Sequence, residues 1–251
     1  MNDRFEICHP ITAGWEGGWS DHPADPGGKT MYGITQATYD AWRKANGLAL
    51  QSVAKITKAE ALKIYRRNYW EACGADRLAP GPDLATYDAS VNSGVSRGRR
   101  WLMASIGGTN AETVKRICKA RLSFVQALSN WKTFGKGWGR RIADIEVKGV
   151  AMALAAAGAT ESRIRAEART EAATAKKSAA SARNTATAAG SVSVASGGSP
   201  AVSPDVAADP AALWILGALC LALAVVAIVL IVRHRAQSAR ADAYGELAHA
   251  S

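Results

Sequence analysis

The sequence predicts a mainly α-helical protein with an Ala/Ser-rich linker and a single C-terminal transmembrane helix. Three observations carry this. Capped, apolar-periodic segments of helical spacing fill the first 157 residues, and no alternating strand of convincing length appears. Seven of the eight tryptophans fall within residues 1–150, together with 22 of the 31 basic and 14 of the 21 acidic residues. The globular part is therefore N-terminal, and it is basic. Finally, residues 213–232 carry no charge, and twenty helical residues reach about 30 Å, the thickness of a bilayer's hydrocarbon core.

Phe5, Ile7, Ile11 and Trp15 recur at helical intervals interrupted by Pro10, so a first helix should end near Glu16, closed by Gly17-Gly18. The Pro/Asp/Gly cluster at 23–28 is loop chemistry, and residues 29–35 suit a short hairpin. Thr35 caps a helix over 35–46 with Ala37, Tyr39, Ala41 and Trp42 as its apolar positions. Thr57-Lys58-Ala59-Glu60 is a capping box that starts a helix to about Trp70. Another runs from Asp83 to about Ser93 with Leu84, Tyr87, Ala89 and Val91 inward, followed by Glu112–Leu128 and Gly139–Ala157. From Ala159 to Arg183 almost no large apolar residue occurs, which reads as a solvated helix supported by pairs such as Glu161–Arg165. Asn184–Asp209 has linker composition.

The boundaries expected are 1–94, 95–158, a linker over 159–212, a span over 213–232 with Trp214 at the interface, and a short basic tail over 233–251. Met1–Glu6 is polar and offers no apolar core for a cleavable secretory signal. Arg233, Arg235 and Arg240 follow the span, and the positive-inside rule places that tail in the cytoplasm with the N-terminal domain outside.

A basic domain is drawn to polyanions. The chain shows no basic repeat interleaved with aromatics and no zinc or helix-turn-helix signature, so nucleic acid is not the expected partner; Arg97, Arg99 and Arg100 read as a solvated helix end. Cys8, Cys73, Cys118 and Cys220 form no C-x-x-C pair, and His9, His22, His234 and His249 are too scattered for a metal set. No metal or cofactor is implied.

The chemistry-bearing stretch is Trp15-Glu16-Gly17-Gly18-Trp19 through Asp21, Asp25, Thr30 and Tyr32 to Thr35. Glycosidases need one carboxyl kept protonated for the leaving oxygen and a polar group across the sugar for water or the developing cation. Glu16 between Trp15 and Trp19 is the candidate acid, because apolar surroundings favour the protonated carboxyl. Asp25, with Asp21 behind it, and Thr30 compete for the second role; Asp25 before Pro and Gly equally suits an Asx-turn. Trp19 and Tyr32 are candidates to stack on sugar faces and Asn92 to contact an acetamide, with burial in the core as the competing reading.

Glu16-Gly17-Gly18-Trp19 resembles the Glu-Gly-Gly-aromatic signature of the glycoside hydrolase family 108 peptidoglycan muramidases. Ala61–Trp70 looks like that family's second helix, and Tyr87-Asp88-Ala89-Ser90-Val91-Asn92-Ser93-Gly94 like its following segment. Asn130–Trp138 resembles the end of the peptidoglycan-binding half that accompanies it. Glu16, Asp25 and Thr30 also resemble, one residue short, the Glu…Asp…Thr arrangement of α-helical phage lysozymes. The resemblance spans roughly residues 3–150. It implies a lysozyme-like helical domain that cleaves the β-1,4 bond between N-acetylmuramic acid and N-acetylglucosamine, with peptidoglycan and a membrane as partners. Two alternatives stay open: a lytic transglycosylase and a non-catalytic wall-binding tether. Between Trp101 and Thr113 the chain lacks an Asp-Gly-x-x-Gly-Pro-x-Thr segment, so residues 95–150 either bind glycan or only complete the fold.

Overall fold

The computed structural model describes residues 3–16, 29–197 and 210–250, with side chains from 3–16, 29–188 and 221–250. The chain forms two compact units, Met1–Phe124 with Ile145–Thr160, and Val125–Asp144 with Glu161–Ser251. The helices are α1 (Arg4–Ala13), α2 (Gln36–Ala45), α3 (Lys58–Tyr65), α4 (Pro82–Ser93), α5 (Val95–Ser105), α6 (Asn110–Gln126), α7 (Trp131–Ala156), α8 (Glu161–Gly197) and α9 (Pro210–His249). Two short antiparallel strands, β1 (Thr30–Met31) and β2 (Ile34–Thr35), make the hairpin before α2, with Thr30 opposite Thr35 and Met31 opposite Ile34. The mainly α architecture is the one the sequence predicts.

In the first unit α4 is the central element. Every residue from Pro82 to Ser90 is buried, as expected of a helix packed on all sides. Phe5 of α1, Trp70 and Tyr87 of α4 meet edge to face, with ring centroids 5.4 to 6.0 Å apart. Asp83 ties this core together: its Oδ1 accepts from the Gly81 and Leu84 amides and its Oδ2 from Arg4 Nε, each at 2.7 Å. Arg121 of α6 reaches the buried Asp88 at 2.5 Å and Asn92 at 3.0 Å, joining α6 to α4. Close approach on the far side depends on Gly149 of α7, where a Cβ would stand 2.9 Å from Val114.

The capping box at Thr57 is present in full, with Glu60 accepting from the Thr57 amide and Thr57 from the Glu60 amide. Thr35 caps α2. Other details differ from expectation. Helix α1 runs through Pro10 and ends at Ala13, so Glu16 lies beyond its last turn. Its inward face is Phe5, Cys8 and Thr12, whereas Ile7 is exposed, because the buried spacing of three and four residues excludes Ile7. After Tyr65 the helix widens into a π-helical turn over Arg66–Glu71. Among the described cysteines, Cys8, Cys73 and Cys118 are buried and form no disulfide.

In the second unit α8 extends to Gly197, past the point where composition turns linker-like. Ala168, Ala172, Ala175, Ala179 and Ala182 are buried at alternating steps of four and three, the heptad pattern of a helix seam. The facing positions on α9 are Ala236, Ala241, Tyr244 and Ala248. Arg240 pairs with Glu171 at 2.5 Å, and His234 Nδ1 meets the Ala179 carbonyl at 3.0 Å, so the two helices run antiparallel. Alanine buries little area per residue but lets backbones approach closely, which is why this seam escapes a search for large apolar residues. Helix α9 is long and apolar enough over Leu221–His249 to cross a membrane, and its most apolar part there is almost entirely unburied.

Candidate active site

Glu16 is delivered by the end of α1. The Trp15 amide bonds to Thr12 and the Glu16 amide to Ala13, each at 3.0 Å, so the chain closes in a tight turn that leaves Glu16 half-buried. The β1–β2 hairpin supplies the facing wall. Its two central residues, Tyr32 (φ 52°) and Gly33 (φ 72°), are both left-handed, as the two-residue turn favoured by twisted hairpins requires. For Tyr32 that conformation is uncommon and marks a position held by its surroundings. Tyr65 does the holding, donating from its hydroxyl to the Tyr32 carbonyl at 2.7 Å.

Gly33 is where these parts converge. A Cβ there would stand 2.5 Å from Tyr65 Oη and 2.7 Å from Glu16 Oε2. The carboxylate, the phenol and the turn therefore share a space that only glycine leaves open, and positive φ adds a second reason for glycine. On the expectation that Glu16 is the acid, Gly33→Ala should lower glycan cleavage by tenfold or more, because displacing such a group by about 1 Å costs up to roughly a hundredfold. Steady-state cleavage beside a thermal melt checks this: a small melting shift with a large activity loss is expected, and unchanged activity would remove Gly33 from the site.

Near Glu16 lie aromatic and polar groups that stay neutral near pH 7. Burial raises the Tyr69 phenol, and the nearby Glu16 charge adds to it. Burial also pushes Tyr87 well above the ordinary phenol range, with Tyr65, Asp88 and Glu16 contributing. His9 Nδ1 lies 2.7 Å from Tyr87 Oη, and its ring packs against Tyr65 with centroids 4.9 Å apart. Burial, assisted by the Lys58 charge, lowers His9 from 6.5 to about 4, so it is neutral near pH 7. Glu16 thus stands near buried phenols that remain neutral at pH 7.

Of the other expected site residues, Thr30 opens the hairpin and is partly buried, and Tyr32 is 37% exposed. Asn92 lies in the last turn of α4, and its Oδ1 is already engaged by Arg121. Trp19, Asp21 and Asp25 lie outside the described residues. Tyr65, His9, Tyr69 and Gly33 were not singled out by sequence reasoning. The order Tyr32-Gly33 between two strand-forming pairs was the available signal for a left-handed turn; nothing local announces that Tyr65, 33 residues after Tyr32, bonds to it. A recess of about 470 Å³ between α1 and α3 is lined by Phe5, His9, Pro10, Leu62, Lys63 and Arg66 among others and does not include Glu16. Among the described residues no three His, Cys, Asp or Glu side chains converge as a metal site would need.

A mainly helical domain thus sets one carboxyl, Glu16, against a β-hairpin turn with buried phenols nearby. Residues 10–94 match the Glycosyl hydrolase 108 family model. The solved structure of SagA from Brucella abortus is 34% identical, with a TM-score of 0.53 over 60% of this chain and 95% of SagA. No curated protein matches the chain. The chain belongs to the glycosyl hydrolase 108 family and is a glycoside hydrolase.

Proposed function

We propose that the chain is a membrane-anchored peptidoglycan N-acetylmuramidase of the lysozyme type, acting in cell-wall lysis or remodelling as phage endolysins and bacterial wall enzymes do. Glu16 donates its proton to the glycosidic oxygen of the β-1,4 bond between N-acetylmuramic acid and N-acetylglucosamine. Water adds to the sugar carbon that loses the bond, and its proton leaves to a base. Asp25 or Thr30 handles that water or the positive charge developing on the sugar. Trp19 and Tyr32 stack on sugar faces, and Asn92 contacts an acetamide. The observation that carries this reading is the placement of Glu16 against Gly33 and Tyr65 in a family of glycosidases.

The remaining parts fit the same substrate. The N-terminal domain's positive charge concentrates it on an anionic wall. The apolar part of α9 enters the cytoplasmic membrane, and the catalytic domain stands on the wall side when active.

Digestion of purified peptidoglycan by the full chain, with mass spectrometry of the fragments, tests the reaction. Fragments that carry one added water and end in reducing N-acetylmuramic acid are expected. Anhydro ends would make the chain a lytic transglycosylase. Retention on insoluble peptidoglycan without any soluble fragment would make it a tether.

A further inference from the structure

Helices α8 and α9 both change from charged to charge-free at one level. In α8 the last charge is Arg183, and Asn184–Pro204 carry none; in α9 no charge precedes Arg233. The contacts of His234 with Ala179 and of Arg240 with Glu171 set these two transitions side by side. Thr185 donates its hydroxyl to the Ser181 carbonyl and Thr187 to that of Arg183, so these polar groups are satisfied within α8 as the charges run out.

At that level a cleft of about 360 Å³ opens between the two helices. Lys177 and Arg233 supply two positive charges, Ser178, Ser181 and Thr185 supply hydroxyls, and Leu230 supplies an apolar wall. Among the described residues neither cation is engaged in an ion pair. Directly beyond, Leu221, Val225, Ile228 and Val229 of α9 are each more than half exposed. A fitting ligand is anionic and oxygen-rich at one end and apolar at the other.

We propose that this cleft binds the phosphate headgroup of an anionic phospholipid, whose acyl chains lie along the exposed apolar face of α9. The assignment rests on the reading that α9 enters a bilayer. The phosphate sits between Lys177 and Arg233 with the hydroxyls donating to its oxygens, a charge-assisted arrangement stronger than neutral hydrogen bonds. The same geometry keeps Glu161–Arg183 and the tail after Arg233 on one face of the bilayer, where hydropathy alone suggests a single crossing that parts them.

The test is flotation of the full chain with vesicles of phosphatidylcholine alone or of phosphatidylcholine with a minority of phosphatidylglycerol. Two double variants go beside it: Lys177→Ser/Arg233→Ser in the cleft, and Lys176→Ser/Arg235→Ser, which removes the same charge from positions that do not line it. Binding to both vesicle types is expected, favouring phosphatidylglycerol by about tenfold or more. The cleft variant should lose that preference and the control variant should keep most of it. Equal loss in both variants means diffuse surface attraction and overturns the site. Loss of the preference in excess inorganic phosphate means the cleft takes a free anion, which overturns the lipid assignment. Equal flotation with both vesicle types overturns the headgroup site while leaving the membrane reading standing. No flotation with either overturns the membrane reading and the site with it.

Discussion

Glu16→Gln should lower the clearing of purified peptidoglycan by about a hundredfold or more, the scale of a lost general acid. Glutamine keeps the length and planarity of the carboxyl, so the contacts around Gly33 and Tyr65 persist and glycan binding should survive. What disappears is the proton for the leaving oxygen. Turbidity of a peptidoglycan suspension, measured with both proteins at equal retention on the insoluble wall, separates the two effects. Equal clearing would mean that another group is the acid. Glu16→Asp is the finer control: it retains the proton but withdraws it by one methylene, and a loss between those of Gly33→Ala and Glu16→Gln is expected.

The second large effect concerns stability. Arg121 and Asp88 are 1% and 0% exposed at the side chain and meet at 2.5 Å. Arg121→Met leaves the Asp88 charge inside the core without its cation, and breaking a buried pair in this way costs about 3–5 kcal/mol. Tryptophan fluorescence during urea unfolding reads this change, because seven of the eight tryptophans belong to the first 150 residues. Asp88→Leu in the Arg121→Met background should restore much of the loss, since both charges are then gone. A single variant as stable as the parent would show that Asp88 finds other partners sufficient.

The parts of this fold that were legible are those decided locally. A threonine with glutamate three residues on makes a capping box wherever it falls, and the one at Thr57 formed as written. The same arrangement at Thr109 and Glu112 opens α6 and was equally readable, though the sequence reading began that helix at Glu112. The short hairpin expected over residues 29–35 is present as β1 and β2. Tyr65 and His9 were not legible as site neighbours, because their roles depend on contacts with residues distant in sequence. The inward face of α1 failed for a related reason: Phe5, Cys8 and Thr12 point to α4 and its neighbours, and large side chains such as Ile7 were a poor guide to which side that is. The alanine seam on α8 was written in the sequence with a strict period, but in a residue that hydrophobicity arguments discount.

That seam changes what kind of connector α8 is. Twenty-three residues of flexible chain have a root-mean-square reach near 26 Å and sample everything from collapse to full extension. The same residues, Glu161–Arg183, as a helix measure roughly 35 Å and little else. With the tail of α9 clasped along its alanines, α8 is a strut within its own unit, and a strut fixes the distance between its two ends where flexible chain would only limit it.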